Sequence, residues 1–408
     1  MTYHFPKLRA LDIRSHHQQG QSYYVLRDPQ QVTDQPLLVP QAFGPLLALC
    51  DGTNDLTQLV ARFQRYTALA VDHAFVQEFV QALDEAFLLE SDRYRVAHQQ
   101  ASAEFRSAPY RQAALAGLSY PKASHDLWQH LQDYLEGAES VETLPIDWSY
   151  PVGILSPHID YQRGGPVYAQ VWKRAAQAAR EAELVILLGT DHYGSDPFTL
   201  TRQNYATPYG TLPTARAIVD ELAAAIGETA AFAGELRHRG EHSLELVAVW
   251  LHHMRAGEPC DLVPILCGGF HRFFRNGEHP HTDHKIQQVL ATLRRFSRGR
   301  RTLVIASGDL AHVGPAFDGD PLDSTKRTQL RQADEELIAH MCAGNAEGFF
   351  TAIKQVQDQN NVCGVAPIYL TMQTIGATSG EAVGYATCPA DDVDTSVVTV
   401  GGMIFHGQ

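Results

Sequence analysis

The chain has 408 residues, a length that allows two or three domains. Its content of 44% hydrophobic and 19% charged residues is typical of a globular protein and excludes a chain that is disordered by composition. The formal net charge of -14 argues against broad electrostatic binding to nucleic acid or to an anionic membrane.

The sequence also bears on cellular location. No apolar stretch is long enough to span a bilayer, and residues 1–17 lack the apolar core of a signal peptide, so we expect no membrane association and a cytoplasmic protein. The cysteines are scattered without CxxC pairs, a pattern that favours reduced thiols over a disulfide framework or a zinc knuckle.

The first hundred residues predict a small helical domain. A strand is expected at 22–26, and Asn54 or Asp55 is placed to cap a helix that carries apolar residues at helical spacing. A second amphipathic helix is expected at 72–87, followed by a short hairpin wing at 88–96. We therefore predict a winged-helix-like domain over 1–95 and a linker over 96–108, where the sequence is small and polar.

This outline resembles the PqqD-like domains that recognise peptide substrates of ribosomal peptide modification. The resemblance covers roughly Tyr23 to Tyr94 and rests on the DGT turn, the two helices and the LL-acid sequence that follows them. It implies docking of a peptide or protein partner by strand addition. A packing or dimerisation role is the alternative interpretation.

Beyond Asp147, apolar runs alternate with amphipathic segments, a rhythm that predicts a mostly parallel sheet between layers of helices. Three runs predict buried strands, and each is followed by polar residues that can do chemistry. His158 follows the first run, His192 the second, and Asp309 and His312 the third. Because the carboxyl ends of parallel strands share one edge of a sheet, we expect these side chains to converge there and to support metal binding or proton transfer.

Two further residues are candidates because each lies near the start of a predicted helix. His242 begins an apolar helix in EHSLE, where the positive end of the helix dipole favours a neutral imidazole that can act as a base. The flanking acidic residues and Ser243 are also explained by simple helix capping. Cys363 precedes another predicted helix, a position that stabilises a thiolate for nucleophilic attack or metal ligation.

With these residues identified, the segment from about Tyr110 to Phe405 resembles the Memo family, also called the AmmeMemoRadiSam system protein B group. Eight stretches match in order along the chain: RQAALAGLSYP, VGILSPHIDYQRGG, VILLGTDHYG with ATPYGTL, EHSLEL, LVPILCGG, IASGDLAHVGP, CGVAPI and SVVTVGGMIF. The resemblance implies the fold of class III extradiol ring-cleaving dioxygenases, a mixed α/β domain with a metal-capable pocket at the strand ends. We assign this domain to residues 109–408.

The resemblance also implies a ligand set. Carried over by position, the metal ligands are His158, His192 and Cys363, and His242 stands in the place of the acid/base histidine of the dioxygenases. A thiolate thus replaces the carboxylate of the dioxygenase site, which suits Fe(II) as the expected metal and also allows copper or zinc. We place Asp309 and His312 with His242 among the catalytic candidates, and we expect the pocket wall to be aromatic, from Tyr161, Tyr193, Tyr205 and Tyr209.

Three functions remain open at this point. The first is a non-haem iron oxidoreductase that acts on a peptide or partner-borne substrate. The second is a non-catalytic adaptor that binds a metal or a peptide in a radical-SAM-associated modification system, a partner that only the family name implies. The third, a hydrolase using Cys363 with His242, is disfavoured because it gives two histidines no role. The basic run at 237–239 either favours an anionic substrate or lies on the surface.

Overall fold

The structure of the protein is a computed structural model that describes residues 5–18, 20–33, 35–67, 69–139, 146–275 and 277–407. The chain divides into two compact units, residues 1–108 and 109–408. No helix in the described ranges has both the length and the apolar character that a membrane span requires.

Among its described residues, the first unit packs a three-stranded antiparallel sheet and three helices around its own apolar core, and a fourth helix follows them. Asp55 accepts the backbone N–H of Gln58 while the Gln58 side chain accepts the N–H of Asp55, so the predicted cap is confirmed as a reciprocal capping box. The elements are β1 (Asp12–Gln18), β2 (Gln21–Arg27), β3 (Leu37–Pro40), α1 (Gly44–Leu49), α2 (Leu56–Thr67), α3 (His73–Glu85) and α4 (Asp92–Ser107).

The hairpin wing predicted at 88–96 is wrong, since most of that segment lies in α4. Ser91 starts this helix by accepting the backbone N–H of Tyr94. The helix also runs through the segment predicted as a linker, 96–108. Only Phe105 of α4 is buried, so the polar composition of this segment reflects an exposed helix rather than an irregular connection.

The second unit contains eleven further helices and ten further strands among the described residues. Its helices are α5 (Ser124–Gly137), α6 (Tyr161–Arg174), α7 (Ala176–Glu181), α8 (Arg216–Ile226), α9 (Glu228–Phe232), α10 (His242–Met254), α11 (His271–Arg275), α12 (His284–Ser297), α13 (Ser324–Cys342), α14 (Ala346–Gln355) and α15 (Val365–Ile375). Its strands are β4 (Val152–Ser156), β5 (Leu184–Thr190), β6 (Thr199–Leu200), β7 (Tyr205–Thr207), β8 (Gly210–Leu212), β9 (Asp261–Cys267), β10 (Thr302–Ser307), β11 (His312–Val313), β12 (Ser379–Pro389) and β13 (Val397–His406).

The central sheet follows the order β11-β13-β4-β10-β5-β9-β6, with β12 also paired to β13. The four middle strands β4, β10, β5 and β9 are parallel, whereas the strands at both ends join antiparallel. One face packs against α8, α12 and α15, and the other against α5, α6, α7 and α10. The predicted mixed, mostly parallel sheet between helical layers is confirmed.

Helix α6 begins at Tyr161 and contains two adjacent glycines, residues that are otherwise common in turns. Asp160 caps the helix by accepting the backbone N–H of Arg163. A Cβ on Gly164 would lie 2.4 Å from the Ile159 side chain, and one on Gly165 would lie 2.3 Å from the Tyr134 ring. These glycines therefore serve close packing of α6 rather than a change of chain direction.

A buried carboxyl in this unit gives a prediction about stability. Burial raises the pKa of Asp358 to about 6, although the backbone N–H of Val362 donates to its carboxylate and opposes the shift. Because the folded-state pKa lies above that of the unfolded chain, stability falls as pH rises from the unfolded value through about 6, by roughly 3 kcal/mol in total.

Asp358→Asn keeps an acceptor oxygen, and asparagine tolerates the left-handed backbone at this position. We expect this variant to be more stable than wild type at neutral pH and close to it at about pH 4, as measured by urea unfolding.

The control is Asp318→Asn, which changes an exposed aspartate that also has a left-handed backbone. Its effect on stability should be small at both pH values, because this side chain is exposed to water. A difference between Asp358→Asn and wild type that stays constant with pH would contradict the account.

Candidate metal centre

Three parallel strands end side by side at the candidate site. Strand β10 lies between β4 and β5, and its last residue, Ser307, pairs with Ser156 of β4 and Gly189 of β5. The three strands therefore end next to one another at the same edge of the sheet. His158, His192 and Asp309 follow within two residues of the strand ends. The convergence expected from the sequence is present.

Asp309 connects the loop after β10 to the loop after β4. One of its carboxylate oxygens accepts the backbone N–H groups of His158 at 2.8 Å and Ile159 at 3.3 Å. The other oxygen lies 3.7 Å from Nε2 of His158. Asp309 is 1% exposed, so it supports the His158 loop from inside the protein while keeping one oxygen near the imidazole.

Cys363 reaches the same place from a different part of the chain. It precedes Gly364, the residue that caps α15, and its Sγ lies 3.1 Å from Nε2 of His158. The backbone N–H of Asp309 donates to this sulfur at 3.3 Å, and the Thr190 hydroxyl donates to the Cys363 carbonyl at 2.9 Å. These bonds fix the thiol against the ends of β5 and β10.

Glu241 is a site residue that sequence reasoning assigned only to helix capping. Its buried carboxylate accepts the backbone N–H of Ser243 at 3.0 Å, so the capping role is real. The same carboxylate contacts the His192 backbone N–H at 3.2 Å, His192 Nδ1 at 3.0 Å and His242 Nδ1 at 3.2 Å. The signal that could have revealed this is its place beside a histidine at the start of a buried helix.

The imidazoles of His158, His192 and His242 form one cluster. The rings of His192 and His242 stack with centroids 4.6 Å apart, and His158 meets both edge-on at 5.0 Å and 5.2 Å. The side chains of His192 and His242 are 24% and 40% exposed, whereas His158 is 1% exposed. The cluster is thus closed on the His158 side and open on the His242 side.

The donor set fits a mononuclear metal ion. One donor atom from each of His158, His192 and Cys363 lies within 4.8 Å of the other two. The Nδ1 atoms of the two histidines face Ser307 at 3.4 Å and Glu241 at 3.0 Å, which leaves each Nε2 for an ion. Such hydrogen bonds to the second ring nitrogen are typical of metal-binding histidines. Two imidazoles and a thiolate suit iron, copper or zinc.

The pKa values of these groups follow from burial and mutual charge. Burial and the neighbouring imidazoles hold the pKa of His158 well below its ordinary value. Burial also raises the pKa of the Cys363 thiol well above its usual range, and the charge of Asp309 adds to that shift. The thiolate stabilisation expected from the helix start is therefore outweighed when no cation is present. This further weakens the interpretation of Cys363 as a free nucleophile.

His312 also reaches this centre. Its Nδ1 faces the carbonyl oxygens of Leu310 at 3.3 Å and Asn361 at 3.1 Å. A donor atom of His312 lies within 4.8 Å of donor atoms on Asp309 and Cys363. Burial lowers the pKa of His312 to about 4, so the ring is neutral at physiological pH. Asp309 and His312 thus share the pocket with the expected ligands.

Of the tyrosines expected in the pocket wall, the structure brings Tyr193 to the site. Its ring lies 6.5 Å from that of His192, and the residue is 40% exposed. Tyr161 is instead fully buried, with its hydroxyl bonded to the Leu246 carbonyl, and Tyr205 is buried against His238. Both fill the core.

Tyr209 lies far from the centre. Its hydroxyl is 3.0 Å from Nδ1 of His253, near the end of α10 opposite to His242. His253 lies eleven positions after His242 in this helix, a distance of about 16 Å at the rise of an α-helix. Tyr209 was expected near the site only because it lies close to the other site residues in the sequence.

The basic run at 237–239 contributes a buried ion pair rather than a receptor for an anionic substrate. Arg237 is 9% exposed, pairs with Asp191 at 2.9 Å and donates to the Thr199 hydroxyl at 2.8 Å. His238 is fully buried. Arg237 therefore holds the loop after β5 in place, and His238 contacts Thr199 of β6 and Tyr205 of β7, so neither alternative inferred from the sequence describes these two residues.

Comparison with known proteins agrees with this architecture. The family model described as "Memo-like protein" matches residues 111–404. A MEMO1 family protein of Aquifex aeolicus is 26% identical over 98% of this chain and 100% of its own length. MEMO1 family proteins of Methanosarcina acetivorans and Methanopyrus kandleri are 28% and 26% identical, over 71% and 72% of this chain and 96% and 99% of their own lengths. The chain belongs to the Memo-like protein family.

Proposed function

We propose that the protein is a metal-dependent, dioxygenase-like oxidoreductase in which His158, His192 and Cys363 hold a single Fe(II) ion. The supporting observation is that the donor atoms of these three residues lie within 4.8 Å of one another, on three separate loops. The metal, when bound, supplies Lewis-acid and redox chemistry to a substrate at the open side of the cluster.

His242 is the proposed acid/base residue. It stacks on His192 but lies on the more exposed side of the cluster, and its Nδ1 is 3.2 Å from the Glu241 carboxylate. With Nδ1 donating to Glu241, the Nε2 atom is free to accept a proton from a bound substrate and to return it. Tyr193, beside His192 and partly exposed, is the proposed aromatic wall for that substrate.

A second candidate function is metal binding without catalysis, in an adaptor of a radical-SAM-associated system. A specific observation favours it: Asp309 Oδ2 lies 3.7 Å from His158 Nε2, and Asp309, His312 and Cys363 form a donor group of their own. If these residues filled the remaining coordination positions, no open position would be left for a substrate.

The first unit is proposed to dock a peptide or protein partner. Strand β1 lies at the edge of the three-stranded sheet, pairs with β2 and is exposed along nearly its whole length. An exposed edge strand offers unpaired backbone groups to an added strand. A peptide captured there is the proposed source of a partner-borne substrate.

The ligand assignment predicts metal content. At this centre, protein purified without oxygen should hold about one metal ion per chain, and His192→Ala should contain about one ion fewer because a three-residue ligand set cannot spare one member. Elemental analysis of both proteins measures this. His125→Ala, which changes an exposed histidine on α5, is the matched control and should retain the metal. Equal metal content in His192→Ala and wild type would contradict the assignment.

Glu241→Gln tests the orienting role of the buried carboxylate. The variant should still bind the metal, but roughly 10- to 100-fold more weakly, because the charge that fixes the His192 ring is lost. Competition with a chelator measures the affinity. Glu235→Gln is the control, since that buried carboxylate is bonded to Thr201 instead, and its metal affinity should be unchanged. Complete loss of metal in Glu241→Gln would make Glu241 a ligand rather than a support.

The acid/base role predicts separate effects on binding and turnover. His242→Gln should keep the metal content of wild type while any metal-dependent oxygen uptake falls by roughly 100-fold or more. Oxygen consumption in a screen of phenolic and peptide substrates measures the rate. Loss of metal in this variant would place His242 among the ligands, and an unchanged rate would remove it from the mechanism.

A further inference from the structure

A second group of metal-type ligands lies apart from the candidate centre and shares no residue with it. His279 and His281 flank Pro280 in the segment before α12, and Glu347 lies in the first turn of α14. Donor atoms from these three residues lie within 4.8 Å of one another. None of them enters the function proposed above.

The three donor atoms point at one another. Nδ1 of His279 and Nδ1 of His281 are each 3.2 Å from the same oxygen of Glu347, Oε2. The two Nδ1 atoms are 2.7 Å apart. Only one proton fits between two ring nitrogens at this distance, so the other Nδ1 carries a lone pair, and that lone pair also lies near Oε2 of Glu347, an oxygen that can only accept. A cation at the centre would resolve that conflict.

The separations also match a small transition-metal ion. Zinc bonds to histidine nitrogen at about 2.0–2.1 Å and to carboxylate oxygen at about 2.0–2.2 Å, so tetrahedral ligands lie roughly 3.3 Å apart. The observed 3.2 Å contacts agree with that spacing, and the nitrogen pair at 2.7 Å needs to widen by about half an ångström. The exposed His281 side chain can make this adjustment.

Two of the three ligands are held in place by groups behind them. The other oxygen of Glu347, Oε1, accepts the Tyr369 hydroxyl at 2.6 Å and the Gln373 amide at 2.8 Å, which turns Oε2 toward the histidines. The His279 ring packs edge-on against Phe350 with centroids 4.6 Å apart. Ligands oriented by such outer contacts are typical of built metal sites.

We infer that His279, His281 and Glu347 form a second site, which binds a divalent ion of the zinc class and fastens the segment before α12 to α14. The site lacks a thiolate, and its protein ligands leave a coordination position open to water. Its chemistry therefore differs from that of the buried centre with Cys363. Its role is to stabilise this part of the fold.

Zinc stoichiometry tests the site on the full chain. Chelator-stripped protein is equilibrated with zinc chloride, and bound zinc is measured by elemental analysis after dialysis. His281→Ala and Glu347→Gln should each bind about one zinc ion fewer than the parent protein, with affinity at this site reduced more than about 100-fold. His284→Ala, which changes a nearby exposed histidine, should match the parent. Zinc should also raise the melting temperature of the parent more than that of His281→Ala.

The same measurement in His192→Ala separates this inference from the proposed function. If the centre with Cys363 binds no metal, His192→Ala binds as much zinc as the parent. His281→Ala still binds one zinc ion fewer than the parent in that case. If the second site does not exist, His281→Ala and Glu347→Gln bind as much zinc as the parent, and zinc raises their melting temperatures as much as it raises that of the parent. That result would overturn the inference.

Discussion

The candidate centre depends on two buried carboxylates that hold histidines in place from opposite sides. Asp309 accepts the backbone N–H groups at the start of the His158 loop, and Glu241 accepts both the backbone and the ring nitrogen of His192. A buried carboxylate is costly unless its oxygens are hydrogen-bonded, so each of these groups requires the loop that it holds. This mutual requirement links the ends of β4, β5 and β10 to the start of α10.

The two carboxylates differ in pKa, and this difference makes the centre electrostatically asymmetric. Burial raises the pKa of Asp309 to about 6 even though two backbone N–H groups oppose the shift. Burial acts in the same direction on Glu241, but the charges and hydrogen bonds of His192 and His242 outweigh it and hold the pKa of Glu241 well below its ordinary value. Both carboxylates are therefore mostly ionised at neutral pH, but the charge of Glu241 persists to lower pH, beside the more exposed histidines, where a proton-transfer residue would need it.

Much of this architecture could be predicted from the sequence because local signals were consistent with the fold. Apolar runs specified the buried strands, and the polar residues after them specified one sheet edge, so His158, His192 and Asp309 were identified by position alone. Assigning Cys363 and His242 to the same pocket needed the family resemblance, since neither follows one of these strands.

What could not be predicted depends on contacts between distant segments. The role of Arg237 requires knowledge that it meets Asp191, forty-six residues away, inside the protein. Tyr161 and Tyr193 each follow a strand-end histidine closely, yet one faces the core and the other faces water. Glycines 164 and 165 indicate a turn locally, but the rings and side chains packed against α6 require them for a different reason. In each case tertiary packing overrides the local pattern.

The family match begins close to the boundary between the two units of the chain. The Memo-like model begins at residue 111, and the archaeal relatives align over nearly their full lengths with about seven-tenths of this chain. The relative from Aquifex aeolicus aligns over 98% of the chain. The first unit therefore lies outside the segment that matches the family model, although the alignment with the Aquifex aeolicus relative extends into it.

Two helices begin at the candidate centre, and the positive ends of their dipoles stabilise negative charge there. The size of this effect shows which groups of the centre also need a cation nearby. His242 is the first residue of α10, and Cys363 directly precedes the cap of α15. Helix starts favour negative charge by about 0.3–1 kcal/mol, up to about 2 kcal/mol in buried geometries. That is enough to assist the Glu241 carboxylate, which has two imidazoles beside it. It is not enough for the Cys363 thiol, whose pKa burial and Asp309 raise well above the ordinary value. The charge that would make this sulfur a ligand has to come from a cation, and the two imidazoles beside it lie where they could hold one.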